Sequence, residues 1–256
     1  MDELITSRQN PLIQQVRKLQ TDRSYRQQTG RFAADGVKLL EEAARWCGGL
    51  ETVLTTPGTA LPPLPPTVRV AEISRELMAY ASQMQAPQGA LFICRIPAEQ
   101  ALPLRPGAVV LDGIQDPGNL GTILRTADAL GAPLVVLTEG CADPWNPKTV
   151  RASMGASFRQ TVIRRTAAQV VRECIDLGLP LLASALSDTA VEIGKTDLRR
   201  AVMVVGSEGK GVRQELLDAA DRHVIIPIRS RCESLNAAAA AAILLWEMGR
   251  AGAFGE

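Results

Sequence analysis

The sequence predicts a two-domain α/β protein, and three observations carry that expectation. After residue 107, continuous apolar runs alternate with amphipathic helical stretches, the pattern of a mostly parallel sheet covered on both faces. Before residue 98 a separate, shorter α/β pattern runs to its own end. Between them lies 98–106, which holds Pro103 and Pro106 and reads as a linker. The expected division is therefore 1–97, a linker at 98–106, and a second domain over 107–256.

The first thirty residues read as helix, because Leu12, Val16 and Leu19 recur at helical spacing with Arg17, Lys18, Arg23 and Arg26 among them. Phe32 begins a short strand, and 37–44 form an amphipathic helix. Strands follow at 52–55 and 68–71, a helix at 73–81, and a last strand at 90–94. The stretch Pro62-Pro63-Leu64-Pro65-Pro66 is a stiff loop. In the second domain strands are expected at 109–111, 134–137, 179–183, 202–205 and 224–228. Helices are expected from Thr122, Ala167, Arg213 and Leu235.

The 28 Lys and Arg residues balance 27 Asp and Glu in a chain of 256 residues, which excludes a uniformly basic nucleic-acid binder but not a local basic face. Five cysteines, Cys47, Cys94, Cys141, Cys174 and Cys232, are scattered without a C-x-x-C pair, and the single histidine, His223, leaves little for a zinc site. Reduced thiols fit a cytoplasmic protein. No apolar run reaches the roughly 18 residues of a membrane span, and the longest, 237–246, is alanine-rich. The amino terminus, Met-Asp-Glu-Leu-Ile, is acidic rather than signal-like. Neither a metal nor a membrane partner is expected.

Three polar loops follow three of the predicted strands, and in a parallel sheet such strand ends share one edge where ligands bind. The first, 112–125, carries Asn119 and Arg125 with Gly118 and Gly121 leaving the backbone bare. The second, 204–212, contains Gly206-Ser207-Glu208-Gly209-Lys210-Gly211. A phosphate loop needs Lys-Ser/Thr after its last glycine, whereas Val212 and Arg213 follow Gly211, and the dinucleotide fingerprint fails at the same place. Glu208 would repel phosphate and tolerate a cation. The third, 225–236, carries Ser234 and Asn236, which are equally good helix caps. Asn119 also reads as a turn residue, Arg125 as a solvated helix residue, and the second loop as a glycine-rich turn. The recurrence of all five polar residues after three strands favours a site.

A further stretch, 145–172, holds Lys148, Arg151, Arg159, Arg164, Arg165 and Arg172 and no acid. With the basic first helix it suits a phosphate backbone, although a solvated face accounts for it as well. Trp145 and Phe158 can stack on bases or fill a core.

Residues 111–131, 204–212 and 225–248, in this order, resemble the three signature motifs of the SpoU (TrmH-like) family of the SPOUT superfamily. Lys148-Thr-Val-Arg151-Ala-Ser-Met-Gly155-Ala resembles the segment the family carries between its first two motifs. Asn10-Pro11 and Arg31-Phe-Ala-Ala-Asp-Gly36-Val-Lys-Leu-Leu-Glu are similar to the family's small L30e-like RNA-binding domain. The resemblance implies an RNA ribose 2′-O-methyltransferase that uses S-adenosylmethionine, with a SPOUT domain containing a deep trefoil knot and a homodimeric assembly. It implies cofactor contacts at Gly206, Ile226 and Leu235, and a polar site of Asn119, Arg125, Glu208, Ser234 and Asn236. RNA contacts are expected from Arg17, Lys18, Arg23, Arg26, Lys148 and Arg151. Ser230 stands where the family usually has glycine, and Ala237 and Ala238 replace residues that are often Val and Ser.

No histidine belongs to the three loops, so the resemblance nominates Arg125 to handle the ribose hydroxyl. A neutral arginine base is costly, because a guanidinium holds its proton far above neutral pH, which favours positioning and charge stabilisation over proton abstraction. Asn119 and Asn236 would hold Arg125 or the ribose, Ser234 would fix its loop, and Glu208 would orient the arginine or favour the cationic cofactor. Large-subunit ribosomal RNA is the expected substrate. Transfer RNA, base methylation, a nucleotide-binding enzyme and a non-catalytic ribosome-assembly protein are the alternatives.

Overall fold

The structure is a computed structural model that describes residues 3–229, 231, 232 and 234–255. The chain divides into two compact units: the residues up to Ala98 with Asp143–Arg159, and Glu99–Ala142 with the residues from Gln160 onward. Residues 143–159, placed in the second domain by the sequence reading, thus belong to the first unit, and the basic stretch 145–172 is divided between the two.

The first unit begins with β1 (Glu3–Ile5), α1 (Pro11–Thr21) and α2 (Arg23–Thr29), where a single helical region was expected. The break has a local cause. Asp22 is extended (φ −114°, ψ 109°) and its carboxylate accepts from the Tyr25 N–H, so it ends one helix and caps the next. Asn10 caps α1 ahead of Pro11, and Leu12, Ile13, Val16 and Leu19 form its buried face. There follow β2 (Arg31–Asp35), α3 (Val37–Trp46), β3 (Leu50–Thr55), β4 (Arg69–Ile73), α4 (Arg75–Ala81) and β5 (Ala90–Arg95). The strands form one mixed sheet in the order β1-β4-β3-β5-β2. Residues 143–159 complete its core: Trp145 and Phe158 stack on Phe32 with centroids 4.8 and 6.0 Å apart, and Val150 is fully buried. These two aromatics are core residues of this unit.

The second unit contains β6 (Val109–Asp112), α5 (Pro117–Leu130), β7 (Val135–Leu137), β8 (Val162–Arg164), α7 (Ala167–Leu177), β9 (Leu181–Ser184), β10 (Val191–Glu192), β11 (Val202–Gly206), α8 (Gln214–Ala219), β12 (Arg222–Ile225) and α9 (Ala237–Arg250), with α6 (Pro147–Ala152) lying in the first unit. The seven strands run in the order β10-β12-β9-β11-β6-β7-β8, and every pairing is parallel. Alternate residues of each strand feed opposite cores. Val109, Leu111, Met203 and Val205 pack with α5 and α9, whereas Val110, Val202 and Val204 pack with α7 and α8. That two-sided burial explains why these strands are continuously apolar. Strands β8 and β10, of 3 and 2 residues, are too short to show in the pattern. No helix among the described residues is long and apolar enough to cross a membrane.

Candidate active site

The loop expected over 112–125 is largely helix. Asp116 accepts from the Asn119 N–H at 2.8 Å, Pro117 fills the first helical position, and α5 starts there rather than at Thr122. Asn119 therefore sits on the first turn of α5, at the carboxyl edge of the sheet, and is placed by a rigid element.

The loop after β11 is a tight reversal. Ser207 and Gly211 exchange two backbone bonds, Ser207 N–H to Gly211 O at 3.2 Å and Gly211 N–H to Ser207 O at 2.9 Å. The backbone of Gly211–Val212 crosses directly over Gly206, where a Cβ would lie 2.2 Å from the Gly211 carbonyl carbon. Glycine is required at 206 by that crossing. The far end of the reversal is fixed by Arg213. Its N–H and Nε each donate to the buried Asp112 carboxylate at 2.7 Å, and Nη1 reaches Glu139 at 3.0 Å. Thr138 also donates to Asp112, at 2.7 Å. This clamp ties the loop bearing Glu208 to the ends of β6 and β7.

Glu208 accepts from the Asn119 amide, and the Asn119 Oδ1 accepts from the Asn236 Nδ2 at 3.1 Å. Asn236 is also the N-cap of α9, its Oδ1 accepting from Ala238 and Ala239 at 3.0 and 3.2 Å. Capping and site membership thus coexist in one side chain, each using a different end of the amide. The three polar loops meet in a chain Glu208–Asn119–Asn236.

Beside this chain, beyond the ends of β9, β11 and β12, is a cavity of about 380 Å³. Gly206, Glu208, Ile226, Ser234 and Leu235 all line it. Ser234 is exposed and makes no side-chain hydrogen bond among the described residues. Arg125 is not brought into this group. It lies on α5, about 9 Å along and about 120° around the helix from Asn119. It is exposed and forms no hydrogen bond or ion pair among the described residues. Ser230, with Glu233, lies outside the described residues, so its comparison with glycine stops at the sequence. Ala237 and Ala238 are buried in the first turn of α9. His223 lies within β12 and bonds Ser187 and the Leu217 carbonyl, away from the polar chain.

One wall of the cavity comes from a segment the sequence reading missed, Ser184 at the end of β9 with Ala185 and Leu186 after it. It carries no charge and no glycine, and only its place after a predicted strand marked it. The Asp112–Arg213 clamp was also missed, although an acid closing the apolar run of β6 was a usable sign.

Of the residues expected to meet RNA, one is corrected. Arg26 is 2% exposed, with its guanidinium bonded to Asp143 at 2.8 Å and to the Leu19 carbonyl at 2.8 Å. A buried, paired arginine serves the fold and offers nothing to a phosphate. Arg17 and Lys18 are exposed over the rings of Tyr80 and Tyr25, at 4.1 and 5.5 Å from the centroids. Arg23 and Lys148 are exposed, and Arg151 is half-buried near Asp35.

The cavity fits S-adenosylmethionine. Its apolar walls (Leu186, Val205, Ile226, Leu235) suit an adenine ring, the irregular backbone after three strands supplies polar groups, and Glu208 at its edge suits a sulfonium charge. Together, an all-parallel seven-stranded sheet and a cavity at its carboxyl edge define an α/β enzyme domain with the ligand site expected of that architecture. The family model described as the SpoU rRNA Methylase family matches residues 106–246, and that of the MRM3-like substrate binding domain matches residues 10–91. The chain belongs to the SpoU rRNA methylase family, whose reaction is methyl transfer from S-adenosylmethionine to RNA. It is 34% identical over 245 residues to the 23S rRNA (guanosine(2553)-2′-O)-methyltransferase RlmP of Bacillus subtilis, covering 95% of this chain and 98% of that one. The AdoMet-bound rRNA methyltransferase of Sinorhizobium meliloti superposes with a TM-score of 0.84 at 29% identity, covering 97% of both chains. The AdoMet complex of the SpoU methyltransferase AviRb of Streptomyces viridochromogenes does so with a TM-score of 0.80 at 27% identity, covering 94% of this chain and 98% of that one.

Proposed function

We propose that the protein methylates a ribose 2′-hydroxyl of 23S-type ribosomal RNA, acting as a cytoplasmic homodimer. The observation that carries this is the cavity at the sheet edge with the Glu208–Asn119–Asn236 chain at its rim. Likeness to RlmP over nearly the whole chain favours ribosomal over transfer RNA. Two exposed apolar residues on α9, Ile243 at 38% and Trp246 at 55%, favour a second copy against that helix. The trefoil knot belongs to the same reading, supported by the likeness to SPOUT structures.

Bound in the cavity, S-adenosylmethionine supplies a methyl group already activated on a positive sulfur. The chain must do the rest. Gly206, Ile226 and Leu235 would hold the adenine side, and Glu208 would face the positive end. Asn119 fixes Glu208, and Asn236 fixes Asn119, so the group is set before RNA arrives and pays no reorganisation at reaction. Arg125 would hold the RNA backbone and steady negative charge growing on the ribose oxygen as the hydroxyl proton passes to solvent. Arg17, Lys18, Arg23, Lys148 and Arg151 would contact phosphates.

The test is incubation with methyl-labelled cofactor and total RNA, followed by alkaline hydrolysis. Label at an alkali-resistant linkage in large-subunit RNA is expected. Label on bases, label only in transfer RNA, or no incorporation overturns the reading. Trp246→Glu is expected to shift the sedimenting species from dimer to monomer; an unchanged dimer removes α9 from the interface, and a monomeric wild type removes the assembly.

A further inference from the structure

The first unit holds a second cavity, of about 380 Å³, that methyl transfer does not use. Asp35 lines it. That carboxylate is buried, accepts from the Ser82 hydroxyl at 3.0 Å, and lies 3.9 Å from the Arg151 guanidinium. Ser82 is itself held, accepting from the Met84 N–H at 2.9 Å. Burial pushes the Asp35 carboxyl above its ordinary range, with Ser82 and Arg151 pulling the other way. Among the described residues the Ser82 hydroxyl is the one hydrogen-bond donor to that side chain. Leu39, Met84 and Met154 give apolar walls, and Gln88 lies at the edge.

Met154 is singular. It is the one non-glycine residue with a positive φ, 50°, among the described residues, and it is 49% exposed. Strain of this kind persists where the surroundings fix it, and it gathers at ligand sites. Here Ser153 donates to the Val150 carbonyl at 2.8 Å, and Ser157 to Ser153 at 2.9 Å. Gly155 follows at φ +89°, where a Cβ would lie 2.8 Å from Glu42. The turn is locked from beneath while its methionine side chain projects at the cavity wall. The two glutamates at the rim, Glu41 and Glu42, are committed to Arg45 and Arg159.

We propose that this cavity receives one unstacked guanine of the RNA substrate, its N1–H and 2-amino group donating to the Asp35 carboxylate and its ring lying against Met84 and Met154. The assignment rests on the reading of the protein as an RNA methyltransferase. A carboxylate presents two acceptors side by side, and guanine alone among the four bases presents two adjacent donors on its pairing edge. Adenine and cytosine offer one amino group beside an acceptor, and uracil one imino group between carbonyls that a carboxylate repels. Sequence-specific RNA recognition takes such splayed bases into pockets, and thioether sulfurs pack well against aromatic edges. Arg151 sits where it can hold the adjoining phosphate as well as Asp35.

The test titrates protein labelled at its methionine methyl groups with the 5′-monophosphates of guanosine, adenosine, cytidine and uridine, each alone. Met84 and Met154 resonances are assigned through M84L and M154L. Guanosine monophosphate is expected to shift both, the other three at equal concentration to leave them in place, and Asp35→Asn to abolish the shift. No shift with guanosine monophosphate, or equal shifts with all four, overturns the proposal without reference to any variant. Met154→Gly, which tolerates the backbone conformation, is expected to raise KM for ribosomal RNA about tenfold with kcat unchanged. An unchanged KM counts against the site. Should no methyl transfer to RNA occur at all, the enzymatic reading fails while the nucleotide titration still decides what this cavity binds.

Discussion

Arg125 makes no hydrogen bond or ion pair among the described residues, whereas Asn119, about one and two-thirds turns earlier on α5, is bonded on both ends of its amide. The difference separates two kinds of work. Asn119 has both ends of its amide engaged, whereas the five guanidinium donors of Arg125 are engaged by none of the described residues. Because Arg125 does not line the cofactor cavity, Arg125→Ala should reduce kcat by about a hundredfold or more while cofactor affinity stays within about twofold. Single-turnover methylation and calorimetric titration with S-adenosylhomocysteine measure the two quantities, and a wild-type rate removes Arg125 from the mechanism. Gly206 makes the opposite case. Its sequence context points to a cofactor contact, but its Cα hydrogens face the Gly211–Val212 backbone. Gly206→Ala should therefore destabilise the second unit by about 1–3 kcal/mol, read as a lowered urea midpoint, with activity lost as a consequence of the displaced loop.

At the scale of elements, the long helices and buried strands were legible because their periodicity is dictated by packing on both faces of the sheet. The start of α5 was not, since Gly118 and Gly121 suggest loop, yet Asp116-Pro117 is a cap followed by a residue suited to the first helical turn. The glycines sit inside the helix, and Gly121 is buried there. The site's polar residues were legible singly. Their joining was not, because Asn119 and Asn236 are separated by 117 positions and meet only through the sheet order. The dual use of Asn236 gives a separable prediction. Asn236→Ser keeps a capping oxygen but loses the amide donor to Asn119, so stability should hold within about 0.5 kcal/mol while kcat falls. Asn236→Ala should lose the rate and also about 1 kcal/mol of stability. Equal rates for wild type and Asn236→Ser would remove the Asn236–Asn119 bond from the catalytic account.

At the scale of the whole molecule, the sequence reading treats each domain as one continuous stretch, and that assumption is what misplaced 143–159. Nothing in composition links those residues to a core built by Phe32, more than a hundred positions earlier; the link is a stack of aromatic rings and one buried ion pair. Arg26 donates to Asp143 from a site 3% exposed on its side chain, and Asp143 in turn accepts from the Trp145 N–H at 3.0 Å. Removing one partner of such a pair strands a charge away from water, at a cost of about 3–5 kcal/mol. Asp143→Asn should therefore unfold the first unit at lower denaturant than the second, splitting one transition into two. A polypeptide of residues 1–98 alone lacks Asp143, Val150 and the rings that cover Phe32, so it should have poorly dispersed methyl resonances. The same polypeptide with 143–159 rejoined through a flexible glycine-serine linker should recover sharp, dispersed signals. Should 1–98 prove as stable alone as when rejoined, the second segment is an ornament on the unit rather than part of its core.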